Sequence, residues 1–160
     1  MAPELHPALA PVAFLLGEWE GPGEGEYPTI TPFAYTEHLT FGHVGKPFLS
    51  YLQRTWDADG SPMHTETGYL RVTGPAEQGH RVELVLSMPT GVVEVLAGTA
   101  VDDDISLTSV LVGLTPTAKQ VDATERRLRM EGELLVVDMG MDAVGVGFHH
   151  HLRSELRRPA

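Results

Sequence analysis

The sequence predicts an all-β protein: an antiparallel up-and-down β-barrel of about ten strands, with one short helical turn near the N-terminus. Three observations carry that expectation. Apolar residues recur at even spacing over most of the chain, as in Phe33, Tyr35, Leu39 and Phe41, or in Phe48, Leu52 and Trp56. That is the period of a strand with one face buried. Turn signals rich in Gly, Asp and Pro interrupt these runs at the spacing of a meander. Finally, 160 residues, 42% of them hydrophobic, suit one domain with a substantial core. A single domain of this many sequential strands removes its exposed edges most simply by closing.

Taken in order, residues 1–10 are rich in Pro and Ala and read as a loose lead-in to a single domain spanning 1–160. Pro11-Val12-Ala13-Phe14-Leu15-Leu16 has the length of one or two helical turns, with Pro11 suited to the first, and Gly17 ends it. A strand carrying Trp19 then leads into a glycine-rich turn through Gly21, Gly23 and Gly25. These glycines lack the Lys-Ser/Thr ending of a phosphate loop and instead mark bends or close backbone approaches. From Thr31 the period is two, with Phe33, Tyr35, Glu37, Leu39 and Phe41 on one face. Further strands are expected over residues 46–56, 63–72, 81–88, 91–101 and 105–114. Asp102-Asp103-Asp104 lacks the spaced ligands of a calcium loop and reads as a solvated hairpin tip. Residues 119–130 have some helical propensity, but their neighbours make a strand the better assignment. Glu131-Gly132-Glu133 turns the chain into the last two strands, 134–141 and 144–156.

Composition narrows the function. Eleven Lys and Arg stand against 22 Asp and Glu, a formal net charge of -11. So acidic a chain is unsuited to nucleic acid or anionic membranes. With no cysteine, disulfides, zinc–thiolate sites, iron–sulfur clusters and thiolate-held haem are excluded. No apolar run reaches membrane-spanning length and no signal-peptide pattern opens the chain, so a cytoplasmic location is expected.

Chemistry gathers at the C-terminal end, where His149, His150 and His151 are consecutive. Neutral imidazole is a common ligand for iron, zinc and copper. An exposed polar strand end is the bland alternative. Strict alternation places His150 with Val144, Val146, Phe148 and Leu152 on the apolar face, and His151 on the other. A bulge near Gly145 and Gly147 would reset that parity.

Several segments together resemble one family. They are Gly17-x-Trp19-x-Gly21-x-Gly23 with Tyr27-Pro28-Thr29-Ile30, Pro32-Phe33-x-Tyr35-x-Glu37, and His43-Val44-Gly45-Lys46-Pro47-Phe48. Pro62-Met63-His64-x-Glu66-x-Gly68-Tyr69, Thr90-Gly91-Val92-Val93-Glu94-Val95 and His151-Leu152 with Arg157-Arg158 follow in order. The chain resembles the nitrobindins, small ten-stranded barrels shaped like fatty-acid-binding proteins. The resemblance implies a ferric haem b cofactor, nitric oxide binding and isomerisation of peroxynitrite to nitrate. It also implies His151 as the single axial iron ligand, with the opposite side of the iron open. Met63, His64, Met88 and Met141 match positions lining the haem cavity, Thr29 falls where the Tyr27-Pro28-Thr29-Ile30 segment meets the haem, and Lys119 matches a basic position suited to a haem propionate. The ordinary alternatives are a turn-capping hydroxyl for Thr29, core filler for the methionines, and solvated side chains for His64 and Lys119. Trp19 and its glycines are expected to close the first strand against the barrel base. The partners expected are small molecules, with the chain a monomer or homodimer. Two rival functions share the barrel: a carrier of a fatty acid or other apolar ligand, and a nitric-oxide carrier or sensor without turnover.

Overall fold

The computed structural model describes residues 1–160. A 3-10 helix, Pro7–Leu15, precedes ten strands: β1 (Gly17–Tyr27), β2 (Ile30–Gly42), β3 (Phe48–Trp56), β4 (Pro62–Pro75), β5 (His80–Ser87), β6 (Val92–Val101), β7 (Asp104–Leu114), β8 (Val121–Glu131), β9 (Leu134–Ala143) and β10 (Phe148–Leu156). Each pairs antiparallel with its sequence neighbours, and β1 pairs with β10 to close the barrel. The closing seam is short: Gly23, Glu24 and Gly25 lie opposite Ser154, Arg153 and Leu152, with a further bridge from Glu20 to Arg157. The hairpin tip at Asp102 and Asp103 has both residues at positive φ, 48° and 60°. A two-residue loop of that hand matches the twist of its strands, and Asp tolerates it better than a bulky residue.

The helix begins four residues earlier than Pro11. Leu9, Val12 and Leu15 are fully buried, and their spacing of three is the period of a 3-10 helix, which puts them on one face. Residues 7–10 are therefore part of the plug that covers the barrel base. Trp19 joins them: its indole donates to the Leu15 carbonyl at 2.8 Å, and the Arg158 guanidinium lies 4.1 Å from the ring centre. Leu9, Val12, Leu15 and Trp19 belong to a core of 19 buried residues.

Two other local expectations are corrected. The glycines of β1 do not form a turn: the strand runs unbroken to Tyr27. A side chain at Gly23 or Gly25 would collide with the rings of Tyr35 and Phe33 on β2, so these glycines are sites of close approach. The last strand starts at Phe148, because residues 144–147 form a turn with Val144, Gly145 and Gly147 at positive φ.

Candidate functional site

Alternation along the strands stacks the barrel interior in three layers. At the base, Phe41 and Leu39 of β2, Leu49 of β3, Leu70 of β4, Leu96 of β6, Leu128 of β8 and Leu156 of β10 are buried. Farther along the same inward faces the residues become polar: Glu37, Gln53, Glu66, Glu94, Arg126 and Ser154, all at most 8% exposed. Beyond this layer the barrel opens into a cavity of about 570 Å³. Phe33, Tyr35, Met63, His64, Met88, Val92, Lys119, Met139, Met141, His151 and Leu152 are among its lining residues.

His151 reaches this cavity through a bulge. In the β9–β10 ladder His149 faces Met141, His150 faces Gly140 and Leu152 faces Met139, so His151 is the extra residue. It shares the cavity wall with its neighbour Leu152, while His150 turns outward between Glu26 and Asp138, 3.4 Å from each carboxylate. The bulge resolves the parity question at His151 itself rather than at Gly145 and Gly147. His149 is exposed, its Nε2 3.0 Å from the Val146 carbonyl.

The ring of His151 is tethered. Its Nδ1 lies 2.9 Å from the Glu26 backbone carbonyl, which can only accept, so Nδ1 carries the hydrogen and Nε2 keeps its lone pair. Burial pushes the imidazole below its usual range, only partly offset by the Glu26 carbonyl. Both effects suit a neutral metal ligand. Tyr27 and Phe33 pack edge-on, with ring centres 5.6 and 6.5 Å from that of His151. The Tyr27 hydroxyl accepts from the Ala143 N–H at 2.9 Å and lies 3.1 Å from both the Met141 and Gly147 carbonyls. It thereby pins the turn that delivers the histidines.

Of the other expected residues, Met63, His64, Met88, Lys119 and Met141 all line the cavity. His64 Nε2 sits 3.4 Å from Glu66 Oε2. Lys119 lies in the connection between β7 and β8. Thr29 does not line the cavity: it is exposed in the β1–β2 turn, two residues beyond Tyr27. Unanticipated was the polar layer beneath. Arg126 donates to Glu66 at 2.6 and 3.3 Å and to Glu94 at 2.7 Å, and the Tyr51 hydroxyl donates to Glu66 at 2.6 Å. Burial pushes the Glu66 carboxyl up, but Arg126, His64 and Tyr51 outweigh it and hold it at about 2. Burial likewise disfavours the Arg126 cation, yet Glu66 and Glu94 keep it charged. Glu37 lies in phase with Phe33, Tyr35, Leu39 and Phe41, a signal readable from spacing alone.

A largely apolar cavity over a charged, hydrogen-bonded floor, with the tethered His151 on its wall and His64 also lining it, defines a small-molecule-binding barrel. Residues 8–158 match the family described as THAP4-like, heme-binding beta-barrel domain. The chain is 48% identical to peroxynitrite isomerase 2 of Mycobacterium marinum, covering 99% of each. It is 47% identical to the peroxynitrite isomerase of Nocardia farcinica, over 96% of this chain and 92% of that one. The crystal structure of Rv2717c from M. tuberculosis matches with a TM-score of 0.89 at 46% identity, over 98% of this chain and 100% of that one. The chain belongs to the THAP4-like haem-binding β-barrel family, and its cofactor is haem.

Proposed function

We propose that this chain holds haem b through His151, isomerises peroxynitrite to nitrate, and binds nitric oxide at the same iron. The observation that carries this reading is the tethered imidazole: Nδ1–H is committed to Glu26, and Nε2 remains free on a ring lining an apolar cavity. The donor set fits the cofactor. One neutral nitrogen ligand suits a haem iron with an open position, and Met63, Met88, Met139 and Met141 offer polarizable surface against a large apolar macrocycle. When bound, the haem supplies a ferric centre at which an O–O bond can break and its fragments recombine.

The chain's own tasks are binding and shielding. Tyr27 and Glu26 fix the ligand ring, and the methionines and Leu152 keep water from the macrocycle. Lys119 offers a cation for a propionate. His64 presents a second imidazole to the cavity, able to donate to an anionic ligand.

The fatty-acid reading finds no free cation in the buried floor of the cavity. Arg126 is the cation in the buried floor, and two carboxylates already neutralise it. Isomerisation and simple nitric-oxide carriage separate kinetically. Mixing the haem-loaded protein with peroxynitrite in a stopped-flow instrument should accelerate its decay in proportion to protein, with nitrate yield rising to match. Decay and nitrate yield equal to those in buffer would leave only the carrier.

A further inference from the structure

The polar layer beneath the cavity contains three buried carboxylates, Glu37, Glu66 and Glu94, and one guanidinium, Arg126. Fully ionised, it would hold two negative charges in excess. Arg126 is taken by Glu66 and Glu94, which leaves Glu37 without a cation although it is only 3% exposed. An unpaired carboxylate so placed is strongly disfavoured. The carboxylates do not converge as a set that could hold a metal ion. Gln53 and Ser154 adjoin Glu37 and favour its ionised form, though they offset burial only in part, and the Gln53 carbonyl oxygen is itself buried without a hydrogen-bond partner. An ionised Glu37 has nothing to donate to Gln53; a protonated one has an O–H to give.

We propose that this layer holds one exchangeable proton on Glu37, and that Glu37 thereby makes the cavity selective for anions that arrive together with a proton, the conjugate bases of weak acids. The proton moves from solvent to the Glu37 carboxylate, and no other bond changes. With Glu37 neutral the layer carries one excess negative charge; with Glu37 ionised it carries two, close beneath the cavity and screened by little water. An anion entering the cavity therefore tightens the layer's hold on the proton, and the proton tightens its hold on the anion by the same factor. The groups around Glu37 are Tyr35 on its own strand, Tyr51 and Gln53 on β3, Glu66 on β4, Arg126 on β8 and Ser154 on β10. Glu94 of β6 joins through Arg126 and His64 through Glu66. On β1 the residue opposite Glu37 is Gly21, with nothing to titrate. Burial, opposed in part by Ser154, Gln53 and Arg126, lifts the Glu37 carboxyl to about 7.

The test has two arms, of which only the second rests on the haem reading. Infrared spectra of the haem-free wild type should show a carboxylic-acid C=O band that persists above the range of exposed carboxyls and fades as pH rises through about 7. Glu37→Gln should lack that band. Absence of the band in the wild type, or its survival in a folded Glu37→Gln, overturns the proposal. In the second arm azide is titrated into the ferric, haem-loaded protein between about pH 6 and 8. Wild-type affinity should fall several-fold more steeply than that of Glu37→Gln, and azide should draw protons from a weakly buffered wild-type solution. Parallel pH profiles without proton uptake overturn the link to anions. Should Glu37→Gln fail to fold, the wild-type band and wild-type proton uptake decide alone. Failure to load haem, with the infrared band intact, counts against the haem reading and not against Glu37.

Discussion

At the scale of single residues, the buried charges decide most. Arg126 is the hub of its layer, and replacing it by Met leaves Glu66 and Glu94 buried without a cation. Breaking a buried pair in this way costs about 3–5 kcal/mol. Denaturant unfolding should show that loss at neutral pH and a partial recovery in acid, where the orphaned carboxyls take up protons; a constant penalty across pH would contradict the network. Glu37 and Glu66 act on stability with opposite sign. The Glu66 carboxyl falls from 4.5 to about 2 on folding, so its contribution is present above 4.5 and lost as pH falls through 2. Glu37 rises from 4.5 to about 7, so its contribution is present below 4.5 and lost as pH rises through 7. The stability advantage of wild type over Glu37→Gln should shrink by roughly 3 kcal/mol from acid to neutral pH, at 1.36 kcal/mol per unit. A pH-independent difference would assign Glu37 no titration in that window. The place of Glu37 was legible in its period-two phase with Phe33 and Leu39. Its pairing logic was not, because Arg126, Glu66 and Glu94 lie on strands far apart in sequence and meet only when the barrel closes.

At the scale of elements, small departures from regularity position the site. The bulge at His151 lets two adjacent residues, His151 and Leu152, face the cavity. Period-two reading cannot locate a one-residue insertion, so alternation alone favoured His150, while the motif ending in His151-Leu152 singled out the other ring. The glycines of β1 were legible as close approaches but were misplaced in a turn, since their partners Phe33 and Tyr35 come from the next strand. The 3-10 helix was shortened at its start because Pro7 and Pro11 obscure a spacing of three that Leu9, Val12 and Leu15 keep. Leu9→Ala should cost about 2–5 kcal/mol and leave haem affinity unchanged, because this plug lies at the end away from the cavity. A weakened haem site in that variant would show the two ends to be coupled. Strand β7 is paired to β8 only through residues 104–108; beyond them the ladder partner is β6, and β8 reaches only the Ser109 hydroxyl, which accepts from the Thr124 N–H at 2.9 Å. Amide exchange should be faster in 109–114 than in 104–108; equal protection would show the β7–β8 gap closed in solution.

At the scale of the whole molecule, one alternating pattern wound into a closed barrel produces an apolar base, a charged middle and a cavity at the open end. The barrel and its strand count were legible because period and turn signals act locally and agree with one another. The layering follows from the same period once the strands are staggered, which no single segment reveals. The outcome is an acidic cup of a haem-binding family, whose cavity wall presents one tethered imidazole. The most direct measurement is a haem titration followed by optical and resonance Raman spectra on the wild type, His150→Ala and His151→Ala. Wild type and His150→Ala should bind one haem with the Soret and iron–histidine signatures of a single imidazole ligand, and His151→Ala should lose those signatures. An unchanged spectrum in His151→Ala, or their loss in His150→Ala alone, would contradict the account.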